Sequence, residues 1–129
     1  MLETFLVRSS LHPDLRPHVH AVMSQLPDGV LNDLLTDPAF TLCDYDATPG
    51  LLASIPINIG IRNPARAIAL KQSLGRREAS FIRWVIAHEL AHAHLRNAGR
   101  WQGDDPEIAA DMLAVAWGFP RPGTARYTL

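Results

Sequence analysis

The sequence predicts a single α+β domain. Three observations carry this: apolar residues at helical spacing in the first third, β-type runs between about residues 40 and 70, and a long, nearly all-round apolar helix after them. A chain of 129 residues with 47% hydrophobic residues can bury a core without disulfide or metal staples. Residues 1–129 are therefore read as one domain: N-terminal helices over about 11–37, a sheet over about 40–70, helices over about 76–97 and 106–117, and a short tail.

From Pro13 to Leu26, the spacing of Leu15, Val19, Val22, Met23 and Leu26 predicts a helix on the outside of the domain, broken by Pro27-Asp28-Gly29. Val30, Leu31, Leu34 and Leu35 suggest a short second helix that stops near Asp37-Pro38, because the residue before proline avoids the helical region. Phe40 to Cys43, Ile55 to Ile61 and Arg66 to Leu70 read as strands, separated by the turn-prone Ala47-Thr48-Pro49-Gly50 and Asn63-Pro64. Pro56 and Gly60 place the middle run at a sheet edge.

Phe81, Trp84, Val85, His88, Ala91, His92 and Leu95 line one side of the long helix, and Ile82, Ile86 and Leu90 spread apolar character round the rest. That is the pattern of a helix buried within a domain, and Gly99 is its natural stop. Asp105-Pro106-Glu107 opens the last helix as N-cap, first position and acidic first turn, and Gly118 and Pro120 end it.

A formal charge of −1 argues against a broad nucleic-acid-binding face. Cys43 is the sole cysteine, so no intrachain disulfide can form and a reduced cytoplasm is the expected setting. Met1 to Arg8 lacks the features of an export signal, and no run approaches the ~18 apolar residues of a membrane span.

The chemistry lies in His88-Glu89-Leu90-Ala91-His92. Residues i and i+4 stand one above the other on a helix, so both imidazoles can reach one zinc ion. Glu89, rotated by about 100° from His88, is poorly placed as a ligand but well placed as a base for a water on that metal. A hydrolytic zinc also needs a third protein ligand and an open position. The metzincin spacing is excluded, because Leu95 and Ala98 stand where it needs a glycine and a histidine.

Glu107 is the better third ligand. It opens the next helix, the connection from Asn97 to Asp105 is short, and Ala109, Ala110 and Ala114 permit close helix packing. Asp111, one turn on, is placed to accept a hydrogen bond from the non-ligating nitrogen of His88. The plainer alternatives are a helix-dipole role for Glu107 and a solvated side chain for Asp111, with Asp104 and Asp105 as fallback ligands.

With HExxH in place and Glu107, Ala110 and Asp111 matching ExxAD, residues from about Arg66 to Gly118 resemble the gluzincins, the thermolysin-like zinc peptidases. In brevity the chain is similar to the minigluzincins, and in its strand followed by a long helix to the ImmA/IrrE-like metallopeptidases. The resemblance implies a minimal zincin-like fold, with a three-stranded mixed sheet packed on the active-site helix. It also implies one Zn²⁺ on His88, His92 and Glu107, Glu89 as general base and then acid, and a protein or peptide substrate.

Thermolysin-like enzymes carry an oxyanion-stabilising His or Tyr in a sizeable C-terminal subdomain, whereas Ala116 to Leu129 follows here, leaving Tyr127 and Tyr45 as candidate donors. By the same resemblance Ile55 to Ile61 forms the rim that pairs with substrate, through Ile57, Asn58 and Ile59. The alternative function is a latent or non-hydrolytic binding module, its cleft blocked by its own tail or a partner. A purely structural zinc fits less well, since such sites are usually closed and Cys-rich.

The other marked residues have plainer readings. His12, His18 and His20 are surface histidines, since i and i+2 diverge on a helix. His94 points about 200° away from His92. Cys43 is a small strand-end residue rather than a latency thiol, Trp84, Trp101 and Trp117 are packing residues, and Arg76-Arg77 is a solvated helix start.

Overall fold

The computed structural model describes residues 1–46, 66–96 and 106–123. Among them the architecture is α+β, with five α-helices and a two-stranded parallel sheet. In chain order these are α1 (Leu2–Ser9), α2 (Arg16–Ser24), α3 (Asp28–Thr36), β1 (Thr41–Tyr45), β2 (Ala67–Lys71), a 3-10 turn over Gln72–Arg76, α4 (Ala79–Leu95) and α5 (Pro106–Ala116). The expected strand Ile55 to Ile61, with Ile57, Asn58 and Ile59, lies outside the described residues, as do Gly99, Asp104, Asp105 and Tyr127.

α4 is the axis of the domain. Phe81, Ile82, Trp84, Val85, Ile86, Ala87, Leu90 and Ala91 are all buried, which takes up every side of the helix. Each large apolar side chain so covered contributes about 1.5–3 kcal/mol. α2 lays Val19, Val22 and Met23 against α4, all fully buried, while Arg16 and Ser24 face outwards. α5 packs on it through Ala110 and Ala114, whose small side chains allow a close approach.

Strands β1 and β2 pair in parallel, with Thr41 opposite Ala67 and Tyr45 opposite Lys71. Parallel neighbours need a crossover connection, here the chain between Tyr45 and Ala67. As a result Tyr45 and Lys71 end their strands side by side.

One added helix and two boundaries differ from what the sequence predicts. The helix expected from Pro13 to Leu26 is α2, and α1, ahead of it, is not predicted; its Phe5 ring stacks on Phe40 at 5.1 Å. The long helix starts at Ala79 rather than Arg76, because Gln72–Arg76 is wound into a 3-10 turn. That turn runs so close to the α1–α2 connection that a Cβ on Gly75 would lie 2.7 Å from Asp14 Cβ. Finally, α4 ends at Leu95, with Arg96 in the left-handed region (φ 59°), a position usually filled by glycine. The Arg96 side chain is held there by Asp33 Oδ1 at 3.1 Å.

Candidate metal centre and adjoining cleft

His88 and His92 occupy successive turns of α4, and their ring centroids lie 4.6 Å apart. α5 brings Glu107 against both: its Oε2 is 2.7 Å from His88 Nε2 and 2.9 Å from His92 Nε2, and the two nitrogens are 3.1 Å apart. One metal ion with bonds of ~2.0–2.2 Å can reach all three atoms. His88 is fully buried, His92 nearly so, and the Glu107 side chain is half exposed.

His88 Nδ1 lies 2.9 Å from Asp111 Oδ1, which also accepts a hydrogen bond from Trp84 Nε1 at 3.2 Å. With the carboxylate as acceptor, the His88 ring proton sits on Nδ1 and Nε2 keeps its lone pair. That lone pair then faces Glu107 Oε2 and His92 Nε2, so that the three atoms together offer one ligand set. A proton can bridge one pair of these atoms; a divalent metal accepts all three. Two imidazole nitrogens and one carboxylate oxygen suit zinc, copper, iron or nickel better than the all-oxygen preference of magnesium or calcium.

The structure therefore brings together His88, His92, Glu107 and Asp111, four residues singled out by spacing. Burial pushes the Glu107 carboxyl up, but hydrogen bonds with His92 and His88, and the charge of both rings, hold it below the usual carboxylate range. Glu89 behaves oppositely: burial raises its carboxyl, and the charge of Glu107 adds to that rise against the pull of His92 and His88.

Glu89 faces a cleft of about 290 Å³ between α4 and the ends of the strands. Phe81, Val85 and Glu89 line it at intervals of four residues along α4, and Leu70, Leu74 and Tyr45 close the other wall. Tyr45 is thus gathered beside Glu89: burial raises its phenol, and the charge of Glu89 raises it further. Lys71, Ser73 and Arg77 are exposed at the cleft's edge, and the Arg77 guanidinium sits 4.0 Å above the Phe81 ring. The sequence reading places Glu89 beside His88 but sets no cleft before it; Lys71 and Ser73 come to line the same cleft only through the fold.

A second polar cluster, on a different face of α4, escaped the sequence. Arg66 is fully buried, 2.7 Å from Asp33 Oδ2 and 3.2 Å from Asp37 Oδ2. Asp33 also receives His94 Nδ1 at 2.8 Å, so His94 points away from the metal cluster, as its 200° rotation from His92 requires. Burial pushes the Asp33 carboxyl up, but hydrogen bonds from Arg66 and His94, with the charges of Arg66 and Arg96, hold it below its ordinary value. Cys43 is partly buried with Sγ 3.6 Å from Ile68 O, and burial, aided by the Asp44 charge, pushes its thiol up and away from reactivity.

No described helix is long and apolar enough to cross a membrane. No family model, curated protein or solved structure matches the chain.

Proposed function

We propose that this chain is a zinc-dependent endopeptidase of gluzincin type, built on a minimal zincin-like fold and acting on protein or peptide substrates in the cytoplasm. The observation that carries the reading is the convergence of His88 Nε2, His92 Nε2 and Glu107 Oε2 within 3.1 Å, with Glu89 opening into the adjacent cleft.

His88, His92 and Glu107 hold the metal. Zinc, if bound there, would supply Lewis acidity, making a bound water more acidic and a carbonyl more electrophilic. Glu89 takes a proton from the attacking water and returns it to the departing amine. Its place one residue after His88, on the wall of the cleft, sets it between the metal ligands and a bound substrate. Asp111 fixes the His88 tautomer and ring orientation, and Trp84 in turn orients Asp111. Tyr45, across the cleft from α4, is the oxyanion donor, its phenol O–H available for that task as an ordinary tyrosine's is near neutral pH.

The test is hydrolysis of a peptide library by the zinc-loaded chain and its Glu89→Gln variant. Cleavage should fall by ~10²–10⁴-fold while one metal per chain is retained. A Glu89→Gln protein that cleaves an identified substrate as fast as the parent would sink the proposal.

A further inference from the structure

The cleft beside Glu89 has an uneven chemistry. Its inner wall is apolar, formed by Leu70, Leu74, Phe81 and Val85, all buried. Its mouth carries two exposed cations: Lys71, last residue of β2, and Arg77, between the 3-10 turn and α4. Among the described residues neither cation is in an ion pair with an acid. Stacking on Phe81 restrains the Arg77 guanidinium while leaving its N–H edge available for a carboxylate.

From this division we infer that the cleft selects a peptide carrying a bulky apolar side chain next to the scissile bond, followed by a carboxylate that engages Lys71 and Arg77. The inference rests on the peptidase reading of the site, whose specificity it supplies. The buried inner wall offers an acidic side chain no cation, whereas the exposed Lys71 and Arg77 do. The acid therefore belongs at the mouth and the apolar group inside. A volume of about 290 Å³ admits a Leu, Met or Phe side chain with room for the backbone that carries it.

The carboxylate could belong to an Asp or Glu side chain or to a peptide C-terminus, and the experiment separates the two. Four peptides share one backbone: Leu followed by Asp, Leu followed by Lys, Ala followed by Asp, and a peptide ending in Leu with a free carboxylate, this last also as its amide. Each is offered to the zinc-loaded chain for cleavage, and to its Glu89→Gln variant for binding by fluorescence anisotropy. Leu over Ala should gain about tenfold or more. Asp over Lys should gain about three- to tenfold, shrinking as salt is raised. The Lys71→Glu/Arg77→Glu double variant should reverse the Asp-over-Lys preference while leaving Leu over Ala intact. Both positions are exposed, and an unchanged melting curve verifies the fold.

Preferential binding of the free-acid peptide over its amide, with no Asp-over-Lys preference, assigns the carboxylate to a peptide terminus. Cleavage or binding indifferent to Asp, Lys and terminal charge overturns the inference while leaving the peptidase reading standing. Selective binding without cleavage by the parent does the reverse. Binding of none of the peptides to the folded, metal-loaded protein overturns it as well.

Discussion

Two polar clusters flank α4, and they are built from nearly the same residue types. One gathers His88, His92, Glu107 and Asp111; the other gathers Asp33, Asp37, His94, Arg66 and Arg96. The difference is where positive charge comes from. At the second cluster the fully buried Arg66 guanidinium supplies it, and the acids are arranged around its fork. At the first, the gathered residues include no arginine, and two imidazole nitrogens and a carboxylate oxygen converge across 2.7 to 3.1 Å. Acids arranged around the chain's own cation hold elements together; two imidazoles and a carboxylate converging on one point form a group that could hold a metal ion.

The largest expected effect follows from that division. Zinc at 1,000 times its dissociation constant should stabilise the parent chain by ~4 kcal/mol, read as a rise in Tm that a chelator reverses. In His92→Ala or Glu107→Ala that rise should vanish. In Asp33→Ala it should survive in full. A metal-dependent rise lost equally from all three variants would erase the distinction between the clusters.

Next in size is the cost of breaking the second cluster. Asp33→Ala leaves the buried Arg66 with Asp37 and backbone carbonyls, and should destabilise the chain by about 3 kcal/mol in chemical denaturation. A loss under ~1 kcal/mol would mean that Asp37 alone satisfies Arg66.

The two clusters were unequally legible in the sequence, for a physical reason. His88 and His92 are one helical turn apart, and Glu107 and Asp111 are another such pair, so each half of the metal cluster is written in local spacing. Arg66 meets partners 33 residues earlier and 28 residues later, drawn from α3 and the end of α4, and no period announces a contact of that kind. The same limit hid Lys71 and Ser73, which reach the cleft only because β2 aligns with β1. α1 was missed because it is a single short amphipathic run that ends on Ser10 in the left-handed region (φ 53°), without the glycine that would have marked its close. The α+β class was readable from the run of helices, strands and helices, while the early end of α4 at Arg96 depends on a tertiary contact with Asp33.

A smaller effect would distinguish a residue that holds a metal from one that orients a ligand. Asp111→Asn keeps the shape beside His88 Nδ1 but weakens its acceptor, and should reduce zinc affinity by about 10–100-fold in competition with a chromogenic chelator. Stability of the metal-free chain should change far less than in Asp33→Ala. An Asp111→Asn chain with parental affinity would assign that carboxylate to Trp84 rather than to the metal centre.

The smallest expected effect is the part of the pH dependence that belongs to Asp33, isolated by comparing two chains that share the first cluster. Asp33 titrates below its ordinary value in the folded chain, so folding binds fewer protons at this carboxyl than the unfolded chain does near pH 4. Its stabilising contribution is complete above the unfolded carboxylate value, and disappears as pH falls through the lower, folded one. Asp33→Asn mimics the protonated side chain at every pH. Melting curves of the two chains, recorded with a chelator present to silence the metal centre, should therefore be well separated at pH 6 and converge as pH drops below about 4. A separation that stays constant across that range would mean that Asp33 acts through shape rather than charge, and would remove the ionic character on which the difference between the two clusters rests.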